Sequence, residues 1–398
     1  MFRIRPAVLS GLVLTLAAPA HAQQAPGART WEIAGVPALS FDSDEGFGYG
    51  VVGELYNYGA GGGTVDYRFT LQPTVAFTTK GRRDFILYLD APRLLPEGWR
   101  LNAYAARERH VATPWYGTGN ASVRDEERAA AAGPNPYYYR FGRTRSRLLV
   151  DVQRRVGTSP VRVLVGAGVT RVGIDATPRD QGTTLLAETA PSGADAGGWL
   201  DYARGGVIWD TRDREVGPRH GTWSEVLVQR ADPALGSDAA FTRWTVTDRR
   251  YWSLGERVVL ANRFVLQGVA GDPPFHELQV VQTSGRPQEG LGGAKTLRGI
   301  PKNRYAGEGM FLWNAELRWR AADFSALGRG FHLVLSGFAD SGRTWDRQPD
   351  LAQIVSDLHH GLGGGVRVGM GENFVVAFDV GHSEESTAPF YIGLGYLF

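Results

Sequence analysis

Arg298 is the residue whose type and setting most strongly indicate a chemical role in this sequence. It lies in the run GGAKTLRGI at 292–300, where Gly292 and Gly293 precede it and Gly299 follows it. Its immediate neighbours are small or apolar. Because a guanidinium presents a planar fork of donors that matches a carboxylate, we expect Arg298 to be inserted into another part of the protein.

A few serine and histidine residues raise the question of hydrolysis. Ser336 and His332 share one face of an extended segment, and His359 and His360 are adjacent. A hydrolase needs a nucleophile beside a base that a third group orients, and no nucleophile motif accompanies these residues. We expect polar loop or interior residues here, with no catalytic residue, no metal site and no cofactor.

The first residues have the pattern of a secretory signal peptide. Arg3 and Arg5 precede an apolar run at 7–18, and Ala20 and Ala22 form a small-residue cleavage site. We therefore expect a signal peptide at 1–22, a short periplasmic tail at 23–32 and one folded domain at 33–398. The chain contains no cysteine, so the exported domain relies on no disulfide.

Composition narrows the class of protein further. The net charge is +2 and hydrophobic residues make up 43%, which argues against nucleic-acid binding and against disorder. After residue 22 no apolar run reaches the ~18 residues of a transmembrane helix. The 53 glycines, 11 tryptophans, 15 tyrosines and 18 phenylalanines are typical of strands, tight turns and aromatic belts.

Extended segments of alternating polarity follow one another from residue 33 onward. In the segment at 309–320, Phe311, Trp313 and Leu317 share one face, while Asn314 and Arg318 share the other. The sixteen predicted strands are 33–41, 46–57, 66–78, 83–90, 99–109, 143–154, 161–173, 199–210, 221–231, 240–252, 257–269, 309–320, 331–340, 359–369, 373–382 and 389–398.

These segments predict an all-β fold, a 16-stranded antiparallel transmembrane β-barrel. The longest connections, at 110–142, 174–198, 270–308 and 341–358, all follow odd-numbered strands, so they lie on one side, which we assign as extracellular. Phe398 ends the last segment on an aromatic residue, as is typical of bacterial outer-membrane barrels. A soluble sandwich or propeller is disfavoured, since neither a linker nor a repeat is visible.

Several motifs together resemble the BamA/TamA superfamily of outer-membrane barrels. GGAKTLRGI resembles the signature of the sixth extracellular loop, with Ile300 in place of the usual aromatic, a departure that should loosen packing of the loop tip. WNAELRW at 313–319 and FADSGRTWD at 338–346 resemble the twelfth and thirteenth strands, with Phe338 and Gly342 in the latter. PWYGTGN at 114–120 resembles a third-loop element and FYIGLGYLF the closing strand.

The resemblance implies that the sixth loop folds into the barrel and that its arginine meets acidic residues on the inner wall. Alternation places Glu316 on the polar face with Asn314, and Asp340 on the face opposite Leu335, so both point inward. We therefore expect Arg298 to bridge Glu316 and Asp340.

Two further groups have structural interpretations. WDTRDREVGPRHG at 209–221 resembles the turn between strands eight and nine, and we expect Asp210, Arg212 and Asp213 to brace a periplasmic turn. Tryptophans near predicted strand ends should anchor the barrel at the membrane interface: Trp99, Trp115, Trp209, Trp252 and Trp345.

Family members that insert or secrete proteins usually carry periplasmic POTRA domains, and the segment at 23–32 is too short for one. The leading hypothesis is assembly or translocation of outer-membrane proteins or lipids through a seam between the first and last strands, where Gly35 and Pro37 weaken the ladder. The alternatives are a passive or gated pore and a lipid hydrolase. Expected partners are outer-membrane lipid, lipopolysaccharide and a separate periplasmic docking protein.

Overall fold

The computed structural model describes residues 30–42, 46–60, 62, 65–133, 135–180, 182–189, 197–326, 328–347, 349 and 351–398. The predicted signal peptide and nearly all of the predicted tail lie outside these ranges. None of the helices in the described residues is long and apolar enough to cross a membrane.

Sixteen strands form one antiparallel sheet in which each strand pairs with its sequence neighbours. The strands are β1 Trp31–Asp42, β2 Gly46–Asn57, β3 Phe69–Thr78, β4 Arg83–Ala91, β5 Trp99–Pro114, β6 Arg140–Arg155, β7 Val161–Asp175, β8 Gly198–Asp210, β9 Gly221–Ala231, β10 Phe241–Ser253, β11 Val258–Gly271, β12 Gly309–Ala326, β13 Arg329–Trp345, β14 His359–Met370, β15 Phe374–His382 and β16 Phe390–Leu394. The predicted all-β class and strand order are confirmed.

Side chains alternate along the strands between a polar interior and an apolar exterior. In β9, Val226 and Val228 are 50% and 46% exposed on the outer face, whereas Glu225 and Gln229 are buried on the inner face. A barrel wall with this alternation presents apolar side chains to hydrocarbon and polar side chains to the lumen. The alternation of apolar and polar residues in the sequence therefore corresponds to the outer and inner faces of the barrel wall.

The long connections lie at one end of the sheet, which we call the loop end, and the short ones lie at the other, the turn end. The connection at 272–308, which we call loop 6, joins β11 to β12 and contains two short paired strands, Val280–Val281 and Gln288–Glu289. Two short helices, α1 Glu126–Ala131 and α2 Leu185–Thr189, lie in other connections at the loop end.

An aromatic cluster covers the loop end. Trp115 and Phe141 pack edge-on against Phe275 of loop 6, with ring centroids 4.9 and 5.1 Å away. Tyr138 and Tyr139 belong to the same buried cluster. Trp115 is only 4% exposed, and Trp345 at the end of β13 is 9% exposed. The prediction that both are interfacial anchors is therefore wrong, because loop packing buries them, whereas Trp99, Trp209 and Trp252 are exposed on the outer face.

The first and last strands end the sheet, and the residues that meet there form what we call the seam. Ala34 and Val36 of β1 pack against Phe374 and Val376 of β15, in a cluster that Leu394 of β16 also contacts. Among the described residues no β1–β16 ladder is formed. The two ends of the sheet thus meet mainly through side chains.

The end of the chain departs from the predicted last strand. β16 ends at Leu394, and residues 395–398 turn toward the interior. Arg318 donates to the carbonyl oxygen of Phe398 at 3.1 Å, and the guanidinium of Arg263 lies 5.3 Å from the Phe398 ring. Phe398 is therefore an interior residue rather than the outer end of a strand, because cationic side chains of the inner wall attract its ring and carbonyl.

Candidate functional site

Arg298 lies inside the barrel and binds both carboxylates that the sequence places on the inner wall. Its Nε and Nη2 donate to the two oxygens of Asp340 at 2.8 and 3.0 Å, and Nη1 donates to Glu316 Oε2 at 3.0 Å. The three side chains are 0–1% exposed. Although burial disfavours the charged form, Asp340 and Glu316 raise the pKa of Arg298 above its usual value. The guanidinium is thus permanently charged and nearly fully satisfied.

Four further contacts orient the Arg298 segment. The backbone N–H of Arg298 also donates to Asp340, at 3.0 Å, and the Phe338 ring centroid lies 3.5 Å from the guanidinium carbon. Gly299 has φ +96°, a left-handed conformation that favours glycine, and its N–H donates to Tyr391 Oη of β16 at 3.0 Å. Ser383 donates to the Gly299 carbonyl at 2.7 Å.

The network contains more charges than the three that the sequence indicates. Arg367 of β14 contacts Glu316 at 3.3 Å and Asp379 of β15 at 2.5 Å, and Arg318 donates to Glu316 at 3.0 Å. Arg298 Nη1 lies 3.5 Å from Asp379. Three arginines therefore face three carboxylates across β12 to β15, an arrangement that we call the arginine network. Mutual pairing offsets the desolvation of its six buried charges.

Glycines on three strands make room for loop 6. A Cβ at Gly361 of β14 would lie 1.8 Å from the carbonyl oxygen of Arg298, and one at Gly381 of β15 would lie 2.7 Å from the Gly299 nitrogen. Gly342 of β13 fits beneath Leu291 and Leu297 in the same way. Sequence reasoning found Gly342 through its motif but missed Gly361 and Gly381, because only the path of loop 6 shows that they need to be small.

The other loop 6 residues that the sequence singled out determine the backbone conformation and packing around Arg298. Gly292 and Gly293 have φ +110° and +89°, and the N–H of Gly293 donates to the Ile300 carbonyl at 3.0 Å, which closes a tight loop. Ile300 is 3% exposed in a cluster with Leu291, Leu297 and Tyr305. The expectation that isoleucine loosens the loop tip is therefore wrong, since its side chain is buried among apolar neighbours.

Loop 6 reaches the walls on several sides of the lumen. Arg286 contacts Gln72 of β3, Ser284 contacts Glu225 of β9, and Arg204 of β8 donates to the Thr283 carbonyl at 2.9 Å. Glu289 is bonded to Arg143 of β6 at 3.3 Å. Although burial opposes ionisation, Lys302 and Arg143 hold the pKa of Glu289 well below its usual value. Loop 6 therefore crosses the lumen and obstructs it.

The turn between β8 and β9 is braced by the residues that the sequence singled out. Arg212 donates to Asp210 at 2.9 and 3.1 Å and lies 4.3 Å from the Trp223 ring, and Asp213 accepts the backbone N–H of Arg219 at 2.9 Å. The structure adds a contact across the lumen that the sequence did not indicate. The carboxylate of Glu215 in this turn binds Arg100 of β5 at 3.0 Å.

The possible catalytic residues do not form a hydrolytic site. His332 and Ser336 lie on the inner face of β13, and Ser336 donates to the Gly365 carbonyl at 3.4 Å. His359 stacks on Tyr305 with centroids 3.8 Å apart. His360 contacts Ser341 at 2.8 Å, but no acidic side chain of the described part of the chain bonds to His360. This serine–histidine contact lacks the third group that would orient the base.

One acidic cluster has the composition of a metal site. Asp84, Glu108 and His110, on β4 and β5, are buried with their ligand atoms within 4.8 Å of one another. Arg145 and Arg147 both bind Glu108 at 3.0 Å, and Arg82 lies 2.8 Å from Asp84. Because arginines already neutralise both carboxylates, the donor set does not suit a divalent cation.

Comparisons with known proteins agree with this architecture. In solved structures, the chain is similar to BamA from Haemophilus ducreyi lacking POTRA domains 1–3, with a TM-score of 0.55 and 14% identity, over 92% of this chain and 70% of that one. It is also similar to CdiB from Escherichia coli, with a TM-score of 0.55 and 12% identity, over 91% of this chain and 61% of that one. At such identities these similarities show the fold alone.

A search of curated proteins finds no match. The family model described as the Omp85 superfamily domain matches residues 77–398, which is most of the chain and includes β4 to β16, loop 6 and the arginine network. This is the family to which the loop 6 motif pointed, and its barrels are bacterial outer-membrane proteins. The chain belongs to the Omp85 superfamily.

Proposed function

We propose that this protein inserts or translocates macromolecules or lipids at the outer membrane, and that cargo passes at the seam while loop 6 stays in the lumen. Omp85 proteins are insertases and transporters, which supports the general role. The observation that carries the proposed route is the contrast between an obstructed lumen and a seam where, in the part of the chain that the structure describes, β1 and β16 form no ladder.

Within the described ranges, β1 and β16 each have one edge that pairs with no other strand, and such edges have the chemistry that this route needs. An edge strand presents free N–H and C=O groups that can pair with an incoming strand. Pro37 in the middle of β1 removes one donor from that edge. Because β16 is short and β1 meets the other end of the sheet mainly through side-chain packing, opening the seam breaks few backbone hydrogen bonds.

A disulfide across the seam tests this route. Because the sequence contains no cysteine, the two introduced thiols have no native thiol to react with. Val36→Cys combined with Leu394→Cys places one thiol on each side of the seam, in one apolar cluster. In proteoliposomes, we expect the oxidised pair to insert a denatured outer-membrane client at least tenfold more slowly than the reduced pair.

The matched control joins two strands that are already paired. Val36→Cys with Val52→Cys lies in register on β1 and β2, so oxidation there should leave insertion unchanged. Full insertion activity with the seam disulfide formed would rule out the seam as the route.

Conductance separates this proposal from a pore. Because loop 6 crosses the lumen, the purified protein should give no steady current in planar bilayers. A constant open-channel conductance in the unmodified protein would favour the pore instead. Hydrolysis of phospholipid by the purified protein would favour the lipid hydrolase.

We also propose contacts with outer-membrane lipid, lipopolysaccharide and a separate periplasmic docking protein. The exposed apolar outer face supports the first two, and the docking protein would supply client binding at the turn end. A photocrosslinker at Leu254, which is 61% exposed in the β10–β11 turn, should capture one defined periplasmic protein. Insertion that is equally fast with the purified barrel alone would exclude a need for that protein.

A further inference from the structure

A small cavity at the turn end is lined by an unusual concentration of arginines. Its volume is about 50 Å³, and its lining includes Arg214, Arg219, Arg257, Arg318 and Arg320. These residues come from the β8–β9 turn, the β10–β11 turn and β12, so three separate parts of the chain contribute. We call this space the basic cavity.

Local carboxylates neutralise only part of this charge. Arg214 and Arg320 share Glu372, at 3.0 and 3.6 Å, while Arg320 and Arg257 share Asp323. Asp213 lies 3.5 Å from Arg214. These three carboxylates therefore balance three of the five arginines, and Arg219 and Arg318 remain.

The two remaining arginines differ in their partners. Arg219 donates to the carbonyls of Gly255 and Glu256, at 3.0 and 2.6 Å, and no described carboxylate lies within ion-pair distance of it. Arg318 contacts Glu316, which Arg298 and Arg367 also bind, and it donates to the main-chain oxygen of Phe398, the last residue of the sequence, at 3.1 Å. Arg219 is therefore the unbalanced charge. The basic cavity thus carries an excess of positive charge.

Arg318 also has an unused donor inside the protein. The residue is 4% exposed, and its Nη1 is buried without a hydrogen-bond partner among the described residues. Tyr396, which lines the cavity, stacks on the guanidinium with its ring centroid 4.5 Å from the guanidinium carbon and so fixes its plane. A buried donor without an acceptor is costly, and an anion in the cavity would supply that acceptor.

We propose that the basic cavity binds a phosphate group. A phosphate presents several oxygens in a tetrahedral arrangement, so it can accept from guanidinium groups that approach from different sides, whereas a carboxylate offers only two coplanar oxygens. The small volume suits one such group rather than a bulky anion. Free phosphate and the phosphate of a lipid headgroup share this chemistry.

Calorimetric titration of the full chain in a maltoside detergent tests the site. The ligands are inorganic phosphate and dihexanoylphosphatidic acid, each in phosphate-free buffer. We expect one site, with an affinity that falls as salt rises. Arg219→Gln should weaken binding at least tenfold, whereas Arg124→Gln, on an exposed loop at the opposite end, should change it less than twofold.

The two ligands distinguish the sources of the phosphate. Tighter binding of dihexanoylphosphatidic acid assigns a lipid headgroup, and tighter binding of inorganic phosphate assigns the free ion, and either result supports the site. No binding of either ligand at millimolar concentration, or equal binding by wild type and Arg219→Gln, would overturn it. An acidic peptide that binds without competition from phosphate would also overturn it.

This site goes beyond the proposed translocation and is tested separately from it. Phosphate binding is measured on the isolated barrel, without cargo. If the Arg219→Gln variant no longer binds phosphate but inserts a client at the normal rate, the phosphate site is supported and the seam proposal is unaffected.

Discussion

The wall from β12 to β15 and the seam are held together in different ways. β12 pairs with β13 along nearly its whole length, from Gly309 opposite Trp345 to Ala326 opposite Arg329. β16 pairs with β15 over a short stretch, and β1 meets β15 through apolar side chains. The arginine network adds buried ion pairs to the wall only. The same sheet is therefore rigid where loop 6 is anchored and weak where the sheet ends.

Removing the guanidinium of Arg298 should have the largest effect on the difference between the wall and the seam. Arg298→Ala leaves Asp340 buried without the arginine that binds it and removes one of the three arginines that contact Glu316, so we expect a loss of about 3–5 kcal/mol of unfolding free energy. Urea unfolding and heat-modifiability on gels measure this loss, and planar bilayers should show a new conductance as loop 6 detaches.

The control for this variant is a solvated arginine. Arg124→Ala, with a side chain that is 56% exposed, should change the free energy by no more than about 0.5 kcal/mol. If Arg298→Ala had the same unfolding free energy as this control and gave no conductance in planar bilayers, the arginine network would not anchor loop 6.

Crowding the contact between loop 6 and the wall should have the next largest effect. In Gly361→Ala the new methyl group would collide with the Arg298 carbonyl, so loop 6 or β14 must shift, at a cost of about 3 kcal/mol in unfolding free energy. Gly337→Ala on β13 is the matched control, because a Cβ there meets no atom within 4 Å. Equal stability of the two variants would show that loop 6 does not pack on β14.

Acid should loosen the wall at the turn end without acting on the apolar seam. Although burial opposes ionisation, Arg100 and Arg212 lower the pKa of Glu215 to about 2, below its usual value of 4.5. A lowered folded-state pKa contributes stability above about pH 4.5 that is lost as pH falls toward 2.

Between about pH 5 and pH 3 this group should account for a loss of about 2 kcal/mol of unfolding free energy. In the Glu215→Gln variant, measured by urea unfolding across the same pH range, the unfolding free energy should fall less steeply with decreasing pH by this amount. An unchanged slope in the variant would assign the acid sensitivity to other carboxylates.

The smallest expected effect comes from a hydrogen bond that joins loop 6 to β16. Tyr391→Phe removes the acceptor for the Gly299 N–H, which should cost about 1 kcal/mol of unfolding free energy. Tyr49→Phe, on the exposed outer face, serves as the control and should be neutral. Faster insertion of a client by Tyr391→Phe alone would show that the anchoring of loop 6 restrains the seam.

Much of the fold could be predicted because a barrel wall must alternate between apolar and polar residues. That requirement acts at each position, so all sixteen predicted segments overlap with strands in the structure. The same alternation placed Glu316 and Asp340 on the inner face. Motif and alternation together were enough to suggest their contact with Arg298.

The remaining parts of the site depend on how distant segments meet. Alternation also puts Asp379 on an inner face, but nothing near it in the sequence indicates that it reaches Arg367 and Arg298. Gly361 resembles any other glycine of a strand until the path of loop 6 is known. The chain turns inward after Leu394 because interior arginines attract Phe398. The alternation of residues along the last strand does not indicate these arginines.

A double-mutant cycle between Arg298→Ala and Asp340→Ala tests most directly whether the contact that anchors loop 6 stabilises the barrel. The quantity is the coupling free energy from urea unfolding of the wild type, the two single variants and the double variant. Because the two side chains share a buried bidentate contact, we predict a coupling of about 2–3 kcal/mol. Additive losses, with a coupling near zero, would contradict the central claim that this pair holds loop 6 inside the barrel.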